Sequence, residues 1–441
     1  MLQAGRTVDV GTVIDSQGIG RAQWILIGLC GFVALLDGLD LQAIGLAAPA
    51  IAQQLHIPPQ SLGAVFSAAL AGLTIGAFAL GPMADRLGRK GVLVGATFFF
   101  GIFTLATAHA DSFTTLVVYR FLAGVGLGGA MPSFISLASE YVPAKRRAAI
   151  VSLLWAAFPL GGTLGGLIAS RLIPAYGWPS IFIVGGVLPL LIALALVVAL
   201  PESLAFLINR DKPAARIART FKLVFPKADA PDGATFVFAR EPKAKADLRE
   251  LFVSGRARGT LLLWVAYFFA FMILVTNSTW TPTLLRGLGV PVQSSALALA
   301  MFNFGSLFGS AAAGALVEAL GPLFILSLTM IGGAVAFAAI GWSAPSVTMV
   351  TISESAFGFL VGTASSGLLA LAAIYYPSAI RSTGVGWATA MGRFGSFVGP
   401  LVVGALVAAH WSVHTIFTAV AASIMIGAVA CMLMPSGRAK S

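Results

Sequence analysis

Charge is what this sequence has least of. Only 10% of its 441 residues are Asp, Glu, Lys or Arg, against about 25% in a soluble domain, so a water-soluble globular fold is excluded. Cysteine is nearly absent: Cys30 and Cys431 both lie in apolar runs, where a thiol packs as a small hydrophobe. Neither a disulfide framework nor a thiolate metal site is expected. Histidine is as scarce, and His56, His109, His410 and His414 include no i,i+4 pair with a Glu between them. No metal or cofactor is expected. No nucleophile, base and orienting group stand in a recognisable set, which argues against an enzyme. The first 21 residues are polar and mixed in charge, so no cleaved leader is expected.

What remains is apolar. Hydrophobic residues make up 58% of the chain and the mean hydropathy is +0.94. A bilayer core takes about 20 apolar residues per helix, and twelve such segments can be read: 22–47, 61–84, 91–109, 113–140, 147–170, 180–200, 260–282, 293–316, 322–342, 346–374, 381–407 and 412–434. The net charge of +11 is an orientation signal, not a nucleic-acid footprint. Of 27 Lys and Arg, 12 fall in residues 201–258, and 23 fall on one side of the membrane if the chain has twelve spans and starts inside. This is the positive-inside bias. Both termini and the long polar stretch Pro201 to Arg258 are therefore expected in the cytoplasm. The linker contains Asp229-Ala230-Pro231-Asp232-Gly233 and a candidate short amphipathic helix, Leu248-Arg249-Glu250-Leu251-Phe252.

The chain repeats. Gly81-Pro82-Met83-Ala84-Asp85-Arg86-Leu87-Gly88 returns 233 residues later as Gly314-Ala315-Leu316-Val317-Glu318-Ala319-Leu320-Gly321. At an offset of 234, Gly124 meets Gly358, Gly128 meets Gly362, Pro143 meets Pro377, Arg147 meets Arg381, and Arg120 meets Glu354. Several marks at one offset describe two related six-span halves, the design of transporters that hold substrate between halves near the midplane. The expected plan is a polar tail (1–21), a first half (22–200), a linker (201–258), a second half (259–434) and a short tail (435–441).

The stretch Gly81 to Lys90 matches the G-x-x-x-D-R-x-G-R-K loop between spans two and three of the major facilitator superfamily, and the chain resembles that family throughout. The fold this implies is an all-α membrane protein of twelve transmembrane helices. In the family that loop acts as a gate latch, which implies that Asp85 sits near the start of span eleven, braced by Arg86, Arg89 and Lys90. Asp37-Gly38-Leu39-Asp40 in span one resembles the aromatic acid:proton symporter family more narrowly. So do Ala47-Ala48-Pro49, Arg120 with Gly124, Gly126, Gly128 and Pro132, Glu140-Tyr141-Val142-Pro143 before Lys145-Arg146-Arg147, and Gly392-Arg393. Within that family, Asp-Gly-Leu-Asp-Leu-Gln is most similar to the 3-(3-hydroxyphenyl)propionate porters. Sugar porters share Pro201-Glu202-Ser203 but not the tail after span twelve. Drug antiporters carry a Gly before the proline corresponding to Pro159.

Ionisable residues inside a membrane are functional-site candidates. Asp37 and Asp40, three apart on one helix face, are expected to carry protons, with Glu354 as a further site. Arg120 and Arg393 cannot lose their charge, so each needs an anion, either a protein carboxylate or the substrate's. The bidentate guanidinium fork suits a carboxylate. Trp155, Tyr267, Trp280, Phe302 and Trp387 are aromatic groups able to stack on a benzene ring. Glu140, Arg147 and Arg381 are placed with the inner gate. The expected function is proton-coupled uptake of an aromatic carboxylate, such as 3-hydroxyphenylpropionate or a hydroxybenzoate, by a monomer in the cell inner membrane. The alternatives are an efflux antiporter and a non-transporting sensor, which is expected to carry an added signalling domain.

Overall fold

Apolar runs of bilayer length fold as helices because no other local structure satisfies every backbone group without water. The computed structural model describes residues 7–226, 228, 234–238, 248–253, 255–377 and 380–435. A strand β1 (Thr7–Asp9) and a helix α1 (Val10–Ser16) come first. Six spans follow: α2 (Arg21–Gln54), α3 (Leu62–Leu87), α4 (Arg89–Thr107), α5 (Phe113–Glu140), α6 (Ala144–Tyr176) and α7 (Pro179–Ala199). The linker contributes α8 (Leu204–Asn209), α9 (Ala214–Val224), β2 (Thr235–Val237) and a 3-10 turn at Leu248–Leu251. The last six spans are α10 (Ala257–Gly287), α11 (Val292–Leu320), α12 (Pro322–Ser343), α13 (Val347–Tyr375), α14 (Arg381–Ala408) and α15 (Val413–Met432). All twelve expected spans are present, several longer than expected. α2 runs on through Pro49 and α6 through Pro174, since neighbouring helices tolerate the missing donors.

The repeat seen in the sequence is a repeat of packing. In the first six spans α2 lies on α6, α3 on α5, and α4 on both α5 and α7. The last six reproduce this as α10 on α14, α11 on α13, and α12 on both α13 and α15. Glycines make the tightest of these contacts. A methyl group added at Gly124 or Gly128 of α5 would collide with the Ala69 or Leu73 carbonyl of α3, and one at Gly358 or Gly362 of α13 with the Phe302 or Ser306 carbonyl of α11. Only a residue without Cβ lets two helix backbones approach so closely. Gly88 and Gly321, matched in the repeat, both have positive φ (105° and 82°) and turn the chain sharply between α3 and α4 and between α11 and α12.

The two sets of six meet along α2 with α10, α3 with α14, and α6 with α11. The contacts gather at the end of the bundle away from the linker, called here the outer end. There Gly45 abuts the Ser278 backbone, and Arg286 donates to Gln53 at 3.0 Å. Phe66 packs edge-on to Trp280, with centroids 5.5 Å apart. Ser67 donates to the Phe397 carbonyl at 2.8 Å. At the linker end Asp85, Arg86 and Arg381 are exposed, and none of the contacts just named between the two sets lies there.

The N-terminal residues do more than the expected tail. β1 pairs in parallel with β2, Thr7 opposite Thr235, and Val10 and Ile14 are buried with Ile217, Phe221 and Phe236 against the linker end of the first six spans. Asp15 accepts the Ala144 N–H at 2.7 Å where α6 starts. The expected helix at Leu248–Phe252 is the 3-10 turn, and Asp229–Gly233 lies outside the described residues. Replacing Gly124 or Gly358 with valine should each destabilise the protein by about 1–3 kcal/mol or more through overpacking. Thermal unfolding of the detergent-purified protein should show both melting earlier, while Gly81→Ala, with nothing within 4 Å of the added carbon, should melt with the wild type.

Candidate functional site

Asp37 and Asp40 part company in the structure. Three residues apart on an α-helix, they lie roughly 60° apart around its axis, enough to send them to different partners. Asp40 faces into the first six spans, where Arg120 of α5 forks onto it: Nη1 donates to Oδ1 at 2.9 Å and Nη2 to Oδ2 at 2.6 Å. Thr104 of α4 donates to Oδ1 at 3.3 Å, and the Phe182 ring of α7 lies 5.8 Å from the guanidinium carbon. Arg120 is 1% exposed and Asp40 2%. The pair therefore pins together four helices, and both of its charges are met inside the protein.

Asp37 faces the other way, into a small pocket lined by Ala34, Met131, Phe134, Ile135, Leu154, Trp155 and Phe158. No hydrogen bond or ion pair within 4 Å reaches its carboxyl among the described residues. Arg393 of α14 enters from the other half, with Nη2 2.9 Å from the sulfur of Met131, which also lines the Asp37 pocket. Its Nη1 is buried without a partner. An acid from one half and a cation from the other, neither fully satisfied, thus lie on either side of Met131. Gly38, next to Asp37, lets α2 rest directly on α6 within the same half: a Cβ there would strike the Phe158 carbonyl.

The candidate aromatic residues separate by position. Trp155 is 42% exposed and lines the Asp37 pocket. Tyr267 has its ring parallel to Phe271 at 5.8 Å, its hydroxyl buried without a partner, and Gly392, next to Arg393, against it. Trp387 stands nearer the linker end, stacked on Trp264 at 5.9 Å. Trp280 and Phe302 are packing residues: Trp280 donates to the Pro400 carbonyl at 3.0 Å, and Phe302 stacks on Phe357 at 5.5 Å. Glu354 lies within α13, fully buried, taking an N–H from Asn277.

A second group of charges closes the linker end of the first six spans. Arg89 forms an ion pair with Glu140, and Ser203 donates to the same carboxylate at 2.6 Å. Glu202 accepts the Lys90 and Ser203 amides at 3.0 and 2.9 Å, while its own carbonyl takes the Tyr141 hydroxyl. Burial, with the Glu140 carboxylate, holds the Tyr141 hydroxyl well above its usual pKa, so it stays a donor. Asp85 is 74% exposed, with Arg89 3.9 Å away and Arg210 donating to its backbone. Arg86 is exposed too. Arg147 donates to the Val142 carbonyl at 3.1 Å, and its repeat mate Arg381 to the Tyr376 carbonyl at 3.4 Å.

Sequence reasoning passed over Met131, Thr104, Tyr141 and Asn277. The signal for Asn277 was present, as Thr276-Asn277-Ser278-Thr279 is a polar run inside an apolar span. Met131 carries no such mark.

A family model described as Major Facilitator Superfamily matches residues 30–400, with a further match over 263–441. The chain is 38% identical over 416 residues to the 4-hydroxybenzoate transporter PcaK of Pseudomonas putida, covering 94% of this chain and 93% of that protein. It is 35% identical over 419 residues to the 3-(3-hydroxy-phenyl)propionate transporter of Escherichia coli K12, covering 94% and 95%. Among solved structures, a D-xylose-proton symporter superposes with a TM-score of 0.74 at 18% identity, over 94% of this chain and 98% of that one. A bacterial homolog to the human lysosomal transporter Spinster does so with a TM-score of 0.74 at 16% identity, over 95% and 97%.

Breaking a buried ion pair from one side strands the other charge and costs about 3–5 kcal/mol, whereas removing both charges costs far less. Asp40→Asn and Arg120→Gln should each lower the melting temperature sharply, and the double variant should regain much of the loss. Thermal unfolding of the three variants checks this.

Proposed function

We propose, from the premise that this chain belongs to the Major Facilitator Superfamily, that it takes up an aromatic carboxylate together with protons by alternating access. It is a membrane transporter with twelve spans and not an enzyme. The substrate class we assign is a hydroxybenzoate or hydroxyphenylpropionate, in keeping with the relatives named above. The protein would work as a monomer in the inner membrane, with linker and termini in the cytoplasm as the Lys and Arg distribution favours.

The observation that carries the reading is that Asp37 of one half and Arg393 of the other both border Met131, Asp37 without a hydrogen bond or ion pair among the described residues and Arg393 with Nη1 unpartnered. With Asp37 protonated, Arg393 is free to fork onto a substrate carboxylate, and Trp155 and Tyr267 offer faces to the ring. When Asp37 loses its proton, its carboxylate competes for Arg393 and weakens the hold on substrate. Proton and anion thereby bind together and leave together. Asp40 takes no proton in this scheme, because protonating it would uncouple Arg120 inside a dry bundle. The gathering of contacts between the halves at the outer end supports a state that faces the cytoplasm. The charged cluster around Glu140, Arg89 and Asp85, with Arg147 and Arg381, would close that side in the other state.

Uptake of labelled 4-hydroxybenzoate and 3-(3-hydroxyphenyl)propionate into cells, with and without an uncoupler, tests the reading. Accumulation should collapse with the proton gradient, and uncoupler-insensitive uptake would overturn it. Asp37→Asn should lose gradient-driven accumulation yet keep exchange of labelled for unlabelled substrate. Arg393→Lys should weaken substrate affinity by roughly 10–100-fold, the worth of a charge-assisted bidentate contact, as read from the KM for uptake.

A further inference from the structure

Each half bridges its first span to its fourth, but with groups of opposite kind. In the first half Asp40 of α2 holds Arg120 of α5. Glu354 of α13 stands 234 residues after Arg120, and Asn277 of α10 stands 237 after Asp40. These two make the corresponding bridge, Asn277 Nδ2 donating to Glu354 Oε2 at 2.9 Å. Thr281 Oγ1 donates to Asn277 Oδ1 at 2.8 Å, which fixes the side-chain amide with its NH2 toward the acid. The first bridge is an ion pair in which both carboxylate oxygens are held, Arg120 Nε alone being left without a partner. The second joins an acid to a neutral amide and holds only one carboxylate oxygen.

Glu354 is 0% exposed, and its Oε1 has no hydrogen-bond partner. The helices packed on α13 are α10, α11, α12 and α14. Their charged groups are Arg258, Arg286, Glu318, Arg381 and Arg393, and the titratable Tyr267 lies on α10. None of these forms a hydrogen bond or ion pair with Glu354 among the described residues. A carboxylate without a cation does not persist in a dry interior, and a proton is the remaining way to neutralise it. The neutral acid keeps the one hydrogen bond present, Asn277 donating to Oε2, and leaves no buried charge at Oε1.

The position suits a gated proton. Glu354 is seven residues into α13, about 10 Å below its outer end at 1.5 Å per residue. Ser278, next to Asn277, meets Gln42 at 3.4 Å and abuts Gly45, so the contact that seals α2 against α10 adjoins the bridge. Parting that contact would admit water to Asn277 and Glu354 from outside.

We propose that Glu354 is a second proton-carrying site, so that each cycle moves two protons with one aromatic carboxylate anion, one on Asp37 and one on Glu354. Its carboxylate takes a proton from the outer solution while the outer end is open, crosses as the neutral acid, and returns the proton on the linker side. Two protons with one monovalent anion carry a net single positive charge inward, so transport is electrogenic. This rests on the proton-coupled reading above and adds the stoichiometry to it.

The test uses purified protein in liposomes with labelled 4-hydroxybenzoate. An inside-negative potassium diffusion potential, without a pH difference, should drive accumulation by the wild type. Glu354→Gln, which keeps the shape of the protonated acid, should retain accumulation driven by a pH difference and lose the response to potential. A variant that still responds to potential as the wild type does would overturn the proposal. So would a wild type driven by pH difference alone. Should the variant fail to transport at all, the wild-type reversal potential decides: a ratio of two protons per anion supports the proposal and a ratio of one overturns it. Failure of the symport reading itself would look different, because neither gradient would then drive the wild type.

Discussion

In lipid, one apolar helix gains little by hiding from water against another, since the surrounding tails are as apolar as its own side chains. Close backbone approach has to supply the cohesion instead, and much else in this structure depends on that constraint. The glycines of α5 and α13 let carbonyls of α3 and α11 sit directly against them, so each set of six spans packs as one body. The contact between the sets is thinner and gathers at the outer end. Stiff bodies joined by a limited seam are what rocking requires.

Charge is distributed over that frame by what each site can satisfy. Asp40 and Arg120 have met each other's needs inside one body, and so contribute rigidity. Asp37 and Arg393 belong to different bodies and border the same Met131, with no bond between them among the described residues. Two aspartates three residues apart thus meet different surroundings, one paired and one not, across about one-sixth of a turn of helix. Gly38 between them is the position where α2 rests on the α6 backbone, which keeps that angular division fixed.

The spans and the repeat were legible in the sequence because bilayer thickness imposes a run length and duplication leaves marks at a constant offset. The roles of the membrane charges were only partly legible. Spacing places Asp37 and Asp40 on one side of a helix, but not which neighbour each meets, and Arg120 stood equally open to substrate and to aspartate until the bundle was seen. Trp280 and Phe302 read as possible ring-stacking partners, yet neither lines the Asp37 pocket, since composition cannot distinguish a packed aromatic from one facing a cavity. The segment from Thr7 to Ser16 was read as a polar tail because its partner strand lies more than two hundred residues away, and no local pattern signals so distant a pairing.

That pairing makes the described part of the linker up to Phe238 an extension of the first body, while Leu251 and Phe252 pack on the second. Val10, Ile14, Ile217, Phe221 and Phe236 form one small core against the linker end of the first six spans. For a protein expressed as two separate pieces, the natural dividing line is therefore not the end of the sixth span. A cut after Ala199 would strip the leading segment of its cover and leave apolar side chains in water. A cut beyond Val237 would leave a first piece that keeps its own lid and a second piece that begins close to its own membrane helices.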